Sequence, residues 1–219
     1  MCKPLGVIVV VAAIASVSAG HTMVLGPESD LEPSHERFYA IKAEIRQTPD
    51  AVIVLGDSIV QGAPLPKSIC GYAVVNAGVV GAAVEYFERH AAELLGSSHP
   101  RLIVLAVGIN DASPKIAKQF RLRYRKTVAF LSRVAPVAVA TITPVRSGNG
   151  SAGYDAQLVP DFNDAIKKTP NVKAVIDLNK PLSGANWTTD GIHFGQEGYA
   201  LWTKALVKGV SAALGCARL

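Results

Sequence analysis

At residues 51–62 the chain reads AVIVLGDSIVQG, an apolar run that leads without a break into Gly-Asp-Ser. A β-branched apolar run of this kind is typical of a strand that is buried on both faces at the centre of a parallel sheet. Open α/β sheets bind their ligands beyond the carboxyl ends of the strands, so Ser58 lies where a nucleophile would be useful. The alternative is that Asp57 or Ser58 only caps the helix that follows.

Further apolar segments alternate with helical patterns along the rest of the chain. The predicted strands are residues 51–55, 72–76, 102–107, 137–142 and 172–178. The predicted helices are residues 33–47, a short one after Ser58, 82–95, 114–133, 160–168 and 196–214. This alternation predicts a three-layer α/β/α sandwich around a five-stranded parallel sheet, although spacing alone does not fix the strand order. Residues 146–159 are rich in Gly, Ser and Asn and predict a long loop of functional or mobile character.

The first 20 residues have the pattern of a secretory signal peptide. Lys3 precedes an uncharged apolar stretch at 5–19, and small residues at 17–20 offer a cleavage site. The remaining residues, 21–219, are long enough for one core and predict a single domain that is secreted or periplasmic. The apolar stretch is shorter than the roughly 20 residues of a membrane helix, so no stable membrane insertion is expected after cleavage. An uncleaved signal that anchors the protein is the alternative.

The cysteines and the charged residues indicate which ligands and partners the protein is expected to have. Cleavage would leave Cys70 and Cys216, which could pair in an oxidising compartment, although the sequence does not show that they meet. Neither has a partner at metal-ligand spacing, so we expect no metal and no cofactor. The formal net charge is +5, and the basic residues concentrate at 115–133. A solvated helix face is the favoured interpretation of this segment, and attraction to an anionic polymer or membrane surface is the alternative. Nucleic acid is not an expected partner, because the basic residues lack interleaved aromatics.

Separate loops carry the residues that acyl transfer requires. Parallel topology places the carboxyl ends of all strands at one edge, so these loops can converge. Ser58 is the candidate nucleophile, His193 the base and Asp190 the carboxylate that orients it. Asn110 and a glycine of the 76–81 turn could donate hydrogen bonds to an oxyanion. Taken singly, each of these residues could equally be a cap or a turn residue.

As a set, these segments resemble the four sequence blocks of the SGNH, or GDSL, hydrolases. The blocks are Gly56-Asp57-Ser58, Asn76 to Gly81, Gly108-Ile109-Asn110-Asp111 and Asp190-Gly191-Ile192-His193. The resemblance implies a flavodoxin-like fold and ester hydrolysis by Ser58, His193 and Asp190. It also implies an oxyanion hole formed by the backbone N–H groups of Ser58 and Gly81 and by the Asn110 side chain. The sequence departs from the family pattern at Ile59 and at Val79-Val80.

These observations predict a serine esterase that acts on short-chain or acetyl esters of a small molecule or a glycan. An acyltransferase with the same triad, which would move an acyl group onto a glycan, is an alternative of the same chemistry. A binding module that has lost catalysis is an alternative of another class. The α/β-hydrolase elbow Gly-x-Ser-x-Gly is not matched, since Val60 stands in place of its second glycine.

Overall fold

The structure is a computed structural model that describes residues 35–216. The predicted signal peptide and the segment that follows it to residue 34 lie outside the described residues. The strands are β1 Val52–Gly56, β2 Ser68–Ile69, β3 Tyr72–Gly78, β4 Leu102–Ala106, β5 Val137–Ala140 and β6 Ala174–Ile176. The α-helices are α1 His35–Gln47, α2 Ser58–Gly62, α3 Val84–Leu95, α4 Phe120–Val134, α5 Leu158–Lys167 and α6 Gln196–Leu214.

The strands form one sheet in the order β2-β3-β1-β4-β5-β6. All neighbouring strands are parallel except β2 and β3, which are antiparallel. The five parallel strands have the flavodoxin-like order, in which the first strand of the chain lies between the second and the third. The predicted α/β fold is therefore confirmed. The strand order reverses between β1 and β4, and a crevice is expected between the carboxyl ends of these two strands.

The predicted number of strands is wrong by one, because β2 adds a sixth. This strand has only two residues, which is too short to show a hydrophobic period. Cys70 and Gly71 connect it to β3 with φ angles of 56° and 83°. These left-handed conformations make the tight turn between the two strands, and a cysteine is an unusual residue there.

The core surrounds β1, whose five residues are all buried. Helix α3 packs against α1 and α4, whereas α6 contacts β5 and β6 and also β2, at the opposite edge of the sheet. Trp202 of α6 and Phe120 of α4 are among the largest fully buried side chains. Helix α4 begins later than predicted, since residues 113–119 form hydrogen-bonded turns and a 3-10 helix before it. Within residues 35–216, none of the helices is both long and apolar enough to cross a bilayer.

Cys70 and Cys216 form a disulfide, with their Cα atoms 6.2 Å apart. The bond joins the turn between β2 and β3 to the end of α6 across 146 positions of sequence. The sequence allowed this pairing without requiring it. The cross-link fixes the carboxyl-terminal helix to the edge of the sheet.

Candidate active site

The site begins at the junction of β1 and α2. Asp57 caps α2, and its Oδ1 accepts a hydrogen bond of 2.9 Å from the backbone N–H of Ile59. Ser58 is the first residue of that helix. Gly56 is required because a Cβ there would lie 2.2 Å from Val60 Cγ2 and 2.5 Å from the Ala106 carbonyl oxygen. The helix cap that was the alternative interpretation of this stretch is thus present. Asp57 forms the cap, so the hydroxyl of Ser58 remains available for another contact.

Ser58, His193 and Asp190 form one chain of hydrogen bonds. Ser58 Oγ lies 2.8 Å from His193 Nε2, and His193 Nδ1 lies 2.6 Å from Asp190 Oδ2. The second carboxylate oxygen of Asp190 accepts the backbone N–H groups of Ile192 at 2.9 Å and His193 at 2.8 Å. Residues 190–193 therefore fold around the carboxylate, and the spacing of three residues brings its oxygen to the imidazole.

The charge of Asp190 determines the proton positions in this chain. Burial disfavours the charged carboxylate, but the hydrogen bonds from the His193 side chain and from the two backbone N–H groups outweigh it and lower the pKa of Asp190 to about 2. The ionised carboxylate only accepts hydrogen bonds, so the neutral imidazole carries its proton on Nδ1. His193 Nε2 is then free to accept the proton of Ser58.

The turn that follows β3 lies against the same region. Asn76 Nδ2 donates to the Val60 carbonyl oxygen at 2.7 Å, and Asn76 Oδ1 accepts the N–H of Gly78 at 3.0 Å. Gly81 has a φ of 73°, and no hydrogen bond formed by residues 35–216 uses its N–H. The N–H of Gly78 is thus engaged by Asn76, whereas that of Gly81 is available for another acceptor.

Asn110 lies beside this turn. Its Nδ2 donates to the carbonyl oxygen of Ala82 at 2.9 Å, which holds the 3-10 helix Asn110–Ala112 next to Gly81. The neighbouring Asp111 accepts the backbone N–H of Val84 at 2.9 Å and thereby caps α3. The structure thus brings together the predicted loops at the carboxyl edge of the sheet.

Three features of the site were not predicted. Asp57 and Asp111 are both buried carboxylates, and burial raises the pKa of each to about 7. Tyr154 donates from its hydroxyl to Asn110 Oδ1 at 2.9 Å. The two aspartates could have been found from the sequence, because they directly adjoin Ser58 and Asn110. No periodicity or motif distinguishes Tyr154 from the other residues of its loop.

The described part of the chain contains no group of three or more His, Cys, Asp or Glu residues arranged to hold a metal ion. The arrangement of Ser58, His193 and Asp190 can take a proton from the serine hydroxyl, and backbone and side-chain N–H donors lie nearby. That combination is the one required for acyl transfer.

Solved structures of other proteins share this fold at low sequence identity. A lipase/acylhydrolase from Enterococcus faecalis is 22% identical, with a TM-score of 0.63, over 77% of this chain and 99% of that one. An acetylxylan esterase from Geobacillus stearothermophilus is 13% identical, with a TM-score of 0.60, over 78% and 96% of the two chains. A member of the lipolytic protein G-D-S-L family from Veillonella parvula is 22% identical, with a TM-score of 0.59, over 72% and 96%.

A search of curated protein sequences found no match. The family model for the GDSL-like lipase/acylhydrolases matches residues 54–201, a range that contains Ser58, Asn110, Asp190 and His193. The match covers well over half of the 219 residues. The chain therefore belongs to the GDSL-like lipase/acylhydrolase family.

Proposed function

We propose that the protein is a serine esterase that hydrolyses short-chain acyl esters, acetyl esters above all, through an acyl-enzyme. The observation that carries the proposal is the contact of 2.8 Å between Ser58 Oγ and His193 Nε2, with the imidazole held by Asp190 on its other side. A serine at neutral pH is a weak nucleophile unless an adjacent base takes its proton.

In the first half of the reaction, Ser58 Oγ attacks the ester carbonyl carbon and its proton passes to His193 Nε2. Asp190 stabilises the imidazolium that results, since its charge lies 2.6 Å from Nδ1. The oxygen of the substrate becomes negatively charged, and hydrogen bonds donated by the backbone N–H groups of Ser58 and Gly81 and by Asn110 Nδ2 stabilise it. When the tetrahedral intermediate collapses, the C–O bond to the alcohol breaks and His193 returns the proton to the alcohol.

In the second half, a water molecule attacks the acyl group on Ser58. His193 Nε2 takes the water proton, the same donors bind the oxyanion, and the bond from the acyl carbon to Ser58 Oγ breaks. Ser58 recovers its proton from His193, and the carboxylic acid leaves. Each step uses the same three side chains, so the cycle closes without a further group.

The choice of acetyl esters is supported by the fold relationship to an acetylxylan esterase. A glycan acetyl ester is accordingly the first natural substrate to test. A series of nitrophenyl esters of increasing acyl length measures the preference directly. We expect kcat/KM to be highest for the acetyl ester, and a maximum at a long acyl chain would contradict this part of the proposal.

We also propose that the protein is exported and that its mature form begins near residue 21. The disulfide between Cys70 and Cys216 supports this, because such bonds persist in oxidising compartments. Amino-terminal sequencing of the protein recovered from the periplasm or the medium is the test. Recovery of the uncleaved chain in the membrane fraction would favour an anchor instead.

The catalytic role is tested by replacing Ser58 with Ala and measuring p-nitrophenyl acetate hydrolysis. We expect kcat/KM to fall by at least about a thousandfold, because removal of the nucleophile leaves only binding and the oxyanion donors. Ser97→Ala is the matched control, since Ser97 is exposed and lies beyond the end of α3. A folded Ser58→Ala protein that keeps its turnover would overturn the assignment.

A further inference from the structure

We propose that Tyr154 is a positioning residue for the oxyanion donor, holding the Asn110 amide so that its nitrogen faces the reacting carbonyl oxygen. The inference rests on the proposed esterase function. It starts from the hydroxyl of Tyr154, which lies 2.9 Å from Asn110 Oδ1. Tyr154 belongs to the loop between β5 and α5, far in sequence from the four motifs that define the site.

The chemistry of the contacts fixes the orientation of the Asn110 amide. The atom that faces the carbonyl oxygen of Ala82 must be the nitrogen, because a backbone carbonyl can only accept. The opposite atom is therefore the amide oxygen, and the Tyr154 hydroxyl must donate to it. Of the two hydrogens on Nδ2, one is engaged by Ala82 and the other remains for the substrate.

The Tyr154 hydroxyl is suited to this donation. Burial, followed by the negative charges of Asp57 and Asp190, raises the pKa of Tyr154 above its usual value. The phenol therefore keeps its proton at neutral pH. A hydrogen bond to the amide oxygen also polarises the amide and strengthens the donation from Nδ2.

The loop that carries Tyr154 is held at both sides of the site. Two of its backbone N–H groups donate to the segment that contains Asp190, and a third donates to the 3-10 helix that contains Asn110. These bonds are Arg146 to Gly191 at 2.8 Å, Gly150 to Asp190 at 2.9 Å and Asp155 to Ala112 at 2.8 Å. The loop thus connects the acid–base segment to the oxyanion segment, and Tyr154 is placed by both.

The test is a double-mutant cycle on Tyr154→Phe and Asn110→Ala with p-nitrophenyl acetate. Tyr154→Phe removes one oxygen and keeps the ring, and we expect kcat to fall by about tenfold with KM unchanged, since the interaction acts in the transition state. Asn110→Ala should lower kcat by about 100-fold or more. In the Asn110→Ala background, Tyr154→Phe should have no further effect.

Two controls keep the interpretation unambiguous. Tyr39→Phe, at an exposed position on α1, should leave kcat at the wild-type value. Ser58→Ala, measured in parallel, separates failure of this inference from failure of the proposed function. An unchanged kcat in Tyr154→Phe, a loss confined to KM, or the same tenfold loss in the Asn110→Ala background would each overturn the role of Tyr154 while leaving the esterase mechanism in place.

Discussion

Replacement of Asp190 by Asn should nearly abolish activity, although the two side chains have the same shape. Every partner of the Asp190 carboxylate is a hydrogen-bond donor: His193 Nδ1 on one oxygen, and the backbone N–H groups of Ile192 and His193 on the other. An amide has only one oxygen for these three donors. The variant must therefore choose which of them to leave without an acceptor.

If the amide nitrogen faces His193, Nδ1 must accept, the imidazole proton moves to Nε2, and Nε2 can no longer take the proton of Ser58. If the amide oxygen faces His193 instead, two backbone donors lose their acceptor. Each lost partner costs about 1–3 kcal/mol, so the productive orientation is disfavoured by about 2–6 kcal/mol. The loss of the negative charge beside the imidazolium adds to this, and we expect kcat/KM to fall by about 10³- to 10⁴-fold.

Steady-state hydrolysis of p-nitrophenyl acetate by Asp190→Asn measures this loss, with Asp161→Asn as the matched control. Asp161 is exposed on the first turn of α5, so its variant should behave as wild type. A folded Asp190→Asn protein that retains a tenth or more of the wild-type kcat/KM would show that His193 does not depend on this carboxylate for its tautomer.

Three further predictions concern the surroundings of the site. Loss of the disulfide in a Cys70→Ser/Cys216→Ser variant should lower the stability by about 2–5 kcal/mol and the Tm by about 4–20 °C in calorimetry, because the bond closes a long loop in the unfolded chain. Burial raises the pKa of Asp57 in the folded protein to about 7, so the folded state favours the neutral carboxyl. The stability that this gives is complete at a pH below the pKa of Asp57 in the unfolded chain, and it is lost as the pH rises through 7. Asp57→Asn keeps an oxygen for the helix cap, and it should therefore unfold at a higher urea concentration than wild type at pH 8 but not at pH 4. Gly150→Ala should lower kcat by about tenfold in the ester assay, because its Cβ would lie 2.5 Å from Asp190 Oδ2 and displace the carboxylate.

Each of these predictions has an outcome that would contradict it. An unchanged Tm in the double serine variant would mean that the cross-link does not restrict the unfolded chain. Equal urea midpoints for Asp57→Asn and wild type at pH 8 would show that the buried carboxylate carries no penalty when charged. For Gly150→Ala, the control is Gly184→Ala, whose Cβ would have no other atom within 4 Å. Equal activity of the two variants would show that the Cβ at position 150 does not displace the Asp190 carboxylate.

The sequence determined most of the fold because the central strands β1, β4 and β5 are almost entirely buried and carry only apolar residues and glycine. Helix α6 was predicted with its observed bounds, since Trp202 and Leu206 mark a buried face at helical spacing. The strand β2 was missed because two residues carry no period. The strand order was not accessible either, since it depends on which strands pair and not on the composition of any one of them.

At the site, the sequence predicted the residues whose chemistry is local. Asp190 and His193 are three residues apart, so their contact follows from a single short segment. The contact between Tyr154 and Asn110 joins positions that are 44 residues apart, and the tyrosine lies in an irregular loop. The residues adjacent to Tyr154 in the sequence give no indication of this contact. Such contacts depend on the path of the loop backbone, which periodicity does not describe.

The most direct test of the account is to map where a stable serine-directed reagent attaches. After treatment with diethyl p-nitrophenyl phosphate, we expect peptide mass spectrometry to find one diethylphosphoryl group per chain, on Ser58, with hydrolysis of p-nitrophenyl acetate lost in the same proportion. The Ser58→Ala protein should remain unlabelled. Full turnover by protein labelled at Ser58, or inactivation with the label at another residue, would contradict the claim that Ser58 is the nucleophile.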